Sequence, residues 1–318
     1  YESYMNENVQ VGEAGATISV ELEKKAPLDL NQYDTISNED MTVYVGEDFP
    51  LVARYIMTKL DNSEFKGNET DLNTIAINGV KIVPTLISAE KNTENTAKTY
   101  KMSLVDEEAS IDLTLTVEVS IKDNTLTWEV TELTKAEKCV KIATIDVPQL
   151  NLLTVDTTEE DSVFAGAQAS TTTTNKADTY ITFDEGFVPS NQDGYLYAFL
   201  TNGKLSAGLH SNSEKEGDKR VERINTADSM SLTSAVWYYE SGDVSGGDFA
   251  GQPYAHIYDY PVSELPQVKV AIADGDLNGD GDIDWNDGAI AFRDIMHYAQ
   301  DTEVIKDMVN YRIVMNFE

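Results

Sequence analysis

The segment Asp276-Leu277-Asn278-Gly279-Asp280-Gly281-Asp282-Ile283-Asp284-Trp285-Asn286-Asp287 is where residue types and spacing in this chain could do chemistry. Oxygen-bearing side chains stand at loop positions 1, 3, 5, 9 and 12: Asp276, Asn278, Asp280, Asp284 and Asp287. At position 7, Asp282 would offer its backbone carbonyl. Gly281 falls at position 6, where the chain must turn through a conformation that only glycine adopts cheaply. Ile283 follows as an apolar plug. The window 274–287 holds six Asp and no Lys or Arg, so without a cation its like charges repel strongly. A hard cation that takes six to eight oxygens fits this donor set, and the expected ion is Ca²⁺. Two features depart from the full pattern. Position 12 is Asp287 rather than the longer Glu, and the upstream flank reads as a strand rather than a helix. The expected site is therefore strand–loop–helix, with an affinity on the order of 10⁻⁴–10⁻³ M.

The elements that must position this loop are mostly strands. In Ile111–Ile121 the apolar residues occupy every odd position, which predicts one buried and one wet face. Lys122–Thr125 reads as a turn, and Leu126, Trp128 and Val130 resume the alternation, so a long hairpin is predicted. Further strands are predicted at Ala16–Leu22, Met41–Val45, Ile75–Ile77, Val80–Ile87, Val140–Val147, Thr179–Phe183, Tyr195–Leu200, Ala235–Glu240 and Val268–Ile272. Phe49–Lys59 fits a short helix or a strand, and the strand is preferred. Asn78-Gly79, Asp193-Gly194 and Asn202-Gly203 punctuate these runs as turns. The Ser/Thr-rich stretch Ala167–Thr174 reads equally as a linker or as a loop of one large sandwich. After the acidic loop, Gly288–Tyr298 reads as a helix with Ala289, Phe292, Ile295 and Met296 on one side. Tyr311–Phe317 then reads as a last strand, and the natural polypeptide is expected to continue beyond it.

Composition excludes several function classes. The 318 residues carry 23 Lys plus Arg against 56 Asp plus Glu, a formal net charge of −33. Such a surface repels phosphate backbones and anionic lipids, so no nucleic-acid partner is expected. No apolar run approaches the ~18 residues of a membrane span, so no membrane insertion is expected. Tyr1-Glu2-Ser3-Tyr4 does not open a signal peptide, and any such peptide is expected to have been removed or to lie upstream. Cys139 is the single cysteine, which excludes a disulfide framework and a cysteine metal site. Trp128 and Trp237 sit in alternating strands and are expected in the core, while Trp285 should pack either the acidic loop or the following domain. The segment Tyr254–Tyr260 is the better candidate for stacking on sugar rings, through Tyr254, Tyr258 and Tyr260. His210, His256 and His297 are scattered without metal spacing and read as structural.

The tail also carries longer strings. Asp284-Trp285-Asn286-Asp287 runs into Gly288-Ala289-Ile290-Ala291-Phe292-Arg293-Asp294-Ile295-Met296, and Tyr311-Arg312-Ile313-Val314-Met315-Asn316-Phe317 follows. Over about 274–317 the sequence resembles glycoside hydrolase family 101, the endo-α-N-acetylgalactosaminidases. Upstream the resemblance rests on the β-rich pattern and on Ala235-Val236-Trp237-Tyr238-Tyr239.

The resemblance implies an all-β chain. It would be a large β-sandwich of the galactose mutarotase-like supersandwich type, then the calcium loop and one helix. The first strand of a truncated (β/α)₈ barrel would end it. The implied divisions are 1–268 for the sandwich, 269–300 for the calcium connector and 301–318 for the start of the barrel. Enzymes of this family are secreted or cell-surface proteins of bacteria that live on mucins. They release galactosyl-β-1,3-N-acetylgalactosamine from O-glycoproteins with retention. Retaining hydrolysis needs two carboxyls ~5–5.5 Å apart. The family's pair is expected beyond residue 318, so no catalytic residue is assigned here and the chain alone is expected to be inert. The implied partners are O-glycoprotein glycans, met through the full-length enzyme, and the chain's own downstream barrel. Two other readings stay open: a dockerin-like adhesion module, although only one calcium loop is visible, and a free-standing carbohydrate-binding sandwich.

The loop reading yields a direct test. Chelation should lower the melting temperature, and Asp280→Ala should abolish that response. At a calcium concentration ten times the dissociation constant the expected stabilisation is about 1.4 kcal/mol. An unchanged melting curve after EDTA would overturn the calcium reading.

Overall fold

The structure, a computed structural model, describes residues 28–68, 72–148, 150–159, 161–171, 179–185, 193–195, 197–213, 221–226, 228–234, 236–239, 265–293 and 295. The chain divides into two compact units, Tyr1–Gln32 and Tyr33–Glu318. Within the described part of the first, Leu30–Gln32 forms a 3-10 turn, and the Asp29 side chain accepts the Asn31 N–H at 3.1 Å. The predicted strand Ala16–Leu22 lies outside the described residues.

The second unit is built from antiparallel sheets. One runs edge to edge through Asp34–Ser37, Met41–Val45, Val52–Met57, Ser63–Lys66, Asn151–Asp156, Ser229–Thr233, Val221–Asn225 and Asp193–Tyr195. A larger one runs through Thr179–Glu185, Ser162–Thr171, Tyr197–Asn202, Ser206–Ser211, Gln267–Ala273, Thr125–Lys135, Ile111–Lys122, Ala97–Asp106 and Thr85–Lys91. A small sheet holds Val236–Tyr238, Thr144–Asp146, Ile75–Ile77 and Val80–Ile82. Buried residues of all three form one apolar cluster. This nearly all-β architecture is the sandwich expected from the alternation.

The long hairpin shows why the pattern folds this way. Ile111, Leu113, Leu115, Val117, Val119 and Ile121 are all buried, because side chains alternate faces along a strand. Lys122 pairs with Thr125 across Asp123-Asn124, and Asp123 takes the left-handed φ of 52° that this tight turn needs. Asn78-Gly79 is a similar two-residue turn with φ of 52° and 81°, the signature of a type I′ hairpin. Asn78 also fastens the small sheet. Its Nδ2 donates to the Lys141 carbonyl at 2.8 Å, and its Oδ1 accepts from Ala143 N at 2.8 Å.

Trp128 and Trp237 lie in the core as expected and stack at 6.3 Å between ring centroids. Each indole N–H finds a partner, as buried tryptophan requires. Trp128 Nε1 donates to the Pro50 carbonyl at 2.9 Å, and Trp237 Nε1 donates to Asn212 Oδ1 at 3.0 Å.

Three sequence expectations are corrected. The stretch Ser162–Thr171 is a strand whose Thr171 pairs with Thr179, so the start of the Ser/Thr-rich segment is neither linker nor loop. Thr is well suited to a pleated surface, and the pairing decides the matter. Tyr195–Leu200 is not one strand. Asp193–Tyr195 belongs to the first sheet and Tyr197–Asn202 to the larger one. Val80–Ile87 likewise breaks, into Val80–Ile82 and the start of Thr85–Lys91, at Pro84, which cannot donate to a ladder.

One buried cation ties the sheets together. Lys98 is 2% exposed, in the larger sheet, and its Nζ donates to Asp34 Oδ2 at 2.5 Å in the other sheet. It also donates to the Gly46 and Glu47 carbonyls at 3.0 and 2.8 Å. All three ammonium hydrogens are thereby used, which is what burial of a lysine demands. Tyr100 adds an O–H donated to the Gly46 carbonyl at 2.7 Å, and burial holds its phenol well above the usual range.

The Lys98 hydrogen bond holds the Asp34 carboxyl below its ordinary value. A depressed folded-state value means that this stabilisation is complete above the unfolded value of about 3.9 and is lost as pH falls through the folded one. Asp34→Asn should therefore melt below the parent at pH 6, with the gap narrowing below about pH 4. Lys98→Met should cost about 2–3 kcal/mol by chemical denaturation, because the Asp34 carboxylate and the Glu47 carbonyl lose the hydrogen bonds that Lys98 donates.

Candidate functional site

The acidic loop grows directly out of the larger sheet. Gln267–Ala273 is an interior strand, paired with Thr125–Glu129 on one side and with Ser206–Ser211 on the other. The expected division at 268/269 falls within this strand. The loop follows at once, so its upstream flank is a strand, as the sequence predicts.

Within the loop, the carboxylates of Asp276, Asp280, Asp284 and Asp287 accept from backbone N–H groups. Asp276 Oδ1 accepts the Gly279 N–H at 2.6 Å, and its Oδ2 accepts the Gly281 N–H at 2.8 Å. Asn278 Oδ1 accepts from Asp280 N at 3.0 Å, while Asn278 Nδ2 donates to Asp280 Oδ2 at 2.7 Å. Asp280 Oδ1 accepts from Asp282 N at 3.0 Å. Those bonds, from the Asp282 N–H first and the Asn278 amide second, hold the exposed Asp280 carboxyl below its ordinary value. Gly281 takes a φ of 99°, the conformation read from its position in the motif.

Asp284 and Asp287 do something that the ligand spacing does not reveal. The helix spans Trp285–Arg293 and so starts three residues before the predicted Gly288. Asp284 is its N-cap: Oδ1 accepts from Asn286 N at 2.8 Å. Asp287 reaches back, and its Oδ2 accepts from Asp284 N at 2.8 Å. This is a capping box with Asp in both places, and the negative charge also suits the helix N-terminus. Asp287 Oδ1 accepts from Leu277 N at 2.7 Å and from Asn278 N at 3.3 Å. A carboxylate with 0% exposure thus closes the loop on itself and starts the helix. The sequence signal was present as D-x-x-D before an apolar run, but the same residues also read as ligands.

The helix lies on the open face of the larger sheet. Phe292 packs edge-on against Tyr197 and Phe199, at 5.5 and 5.4 Å between ring centroids, and against His210 at 5.7 Å. Trp285 joins the same small cluster with Ala165, Phe199 and Ala271, so of its two expected positions it takes the one beside the loop. His210 is buried in that contact, in keeping with a structural role. Gly288 makes the close approach possible: a Cβ there would meet Ser206 Oγ at 2.5 Å.

Asp276, Asn278, Asp280, Asp282, Asp284 and Asp287 thus share one loop. Their donor set is entirely oxygen and suits a hard cation. As arranged, no three His, Cys, Asp or Glu side chains among the described residues converge into a cluster that could hold a metal. Tyr254, Tyr258 and Tyr260, His256, His297 and the strand Tyr311–Phe317 lie outside the described residues. No described helix is long and apolar enough to cross a membrane.

Comparison with known proteins settles the family. A model of the galactose mutarotase-like fold domain matches residues 36–285, from the first sheet into the helix. The chain belongs to that family. The chain is also similar in sequence to the Renibacterium salmoninarum protein named "Putative endo-alpha-N-acetylgalactosaminidase", 25% identical over 303 residues. The similarity covers 89% of this chain but 18% of that relative, so the chain spans under a fifth of its length. The resemblance read from the tail strings therefore holds along most of the sequence. Among solved structures, the chain is similar to a galactose mutarotase related enzyme of Lactobacillus acidophilus. The identity is 8%, the TM-score is 0.41, and 76% of this chain and 97% of that one are covered. It is also similar to a GH36 alpha-galactosidase of Geobacillus stearothermophilus, with 9% identity, a TM-score of 0.37, and 76% and 39% of the two chains covered.

Two substitutions test the loop geometry. Asp287→Ala strands three backbone donors and should cost about 3 kcal/mol even in metal-free buffer. The exposed Asp280→Ala should change metal-free stability by less than about 0.5 kcal/mol. Gly288→Ala should destabilise helix docking, read as faster hydrogen exchange in Trp285–Arg293, and adding Ser206→Gly should recover part of the loss.

Proposed function

We propose that this chain is the non-catalytic β-sandwich part of a secreted or cell-surface bacterial endo-α-N-acetylgalactosaminidase. The observation that carries the reading is the similarity over 89% of the chain to a relative of that name, of which the chain spans 18%. A protein of that length leaves ample chain for a catalytic barrel, and the two hydrolytic carboxylates would lie there, beyond residue 318. The full enzyme would release galactosyl-β-1,3-N-acetylgalactosamine from O-glycoproteins such as mucins. The sandwich would buttress the barrel, and the loop after Ala273 would serve as the joint between them.

The cation is part of this proposal. Asp276, Asn278, Asp280, Asp284 and Asp287 would hold Ca²⁺ through side-chain oxygens, and Asp282 through its carbonyl. What the ion supplies there is charge neutralisation of a crowded acidic loop, not reaction chemistry. The chain's own residues support that role: Asp284 and Asp287 cap the helix, and Gly288 seats it on the sheet.

The activity test uses two proteins. The 318-residue chain should give no disaccharide release from an O-glycopeptide. The longer natural polypeptide should release the disaccharide with retention. Turnover by the 318-residue chain alone would overturn the placement of the active site, and an inactive longer protein would overturn the enzymatic reading.

A further inference from the structure

We draw no further inference here: the strongest candidate, the exposed apolar corner formed by Val83, Ile87 and Val105 at the edge strand Thr85–Lys91 of the larger sheet, carries none because nothing in the structure shows what covers it.

Discussion

The larger sheet depends on a strand borrowed from far along the chain. Gln267–Ala273 fills the gap between Ser206–Ser211 and Thr125–Lys135, and among the described residues it alone joins the two halves of that sheet. Its partners lie about 60 and 140 residues upstream, so this pairing carries the loop-closure entropy of long spans. Val268, Val270 and Ile272 repay it by entering the main core, while Ala271 faces the helix cluster on the other side. A strand buried on both faces reads as a nearly continuous apolar run, which is what Val268–Ala273 is apart from Lys269.

That placement explains why the acidic loop is anchored rather than dangling. One end is fixed by sheet hydrogen bonds and the other by a helix seated on the same sheet. Between them, the Asp287 carboxylate takes three backbone donors. A buried carboxylate is tolerated only where hydrogen bonds replace lost water, and here they also connect the loop's first turn to the helix. The loop is thus stiff at its base and exposed at Asn278, Asp280 and Asp282. A cation would meet a half-organised site in which the acidic side chains trade backbone donors for the ion.

The Lys98 network does comparable work at another point of the unit. Alternation placed Lys98 on a strand with Tyr100, Met102 and Leu104, all on the inward face. An inward lysine looks like an error in a binary pattern. Asp34 and the Gly46 and Glu47 carbonyls, 51 to 64 residues away, turn it into a cross-sheet staple. No local reading of residues 97–106 supplies those partners.

The sequence by itself determined the strands whose side chains alternate, the two-residue turns that need left-handed residues, the burial of Trp128 and Trp237, and the oxygen-rich loop with glycine at its sharp turn. These are local properties, set by side-chain period and backbone sterics over a few residues. It also carried the family resemblance, because the tail strings are contiguous. Tertiary structure decided the rest. It split Tyr195 from Tyr197 into different sheets and made a strand of the start of a Ser/Thr-rich stretch. It also required glycine at 288, since that residue meets Ser206 from another strand. Each of these turns on a neighbour distant in sequence, and the free energy of such contacts is invisible until the chain brings the partners together.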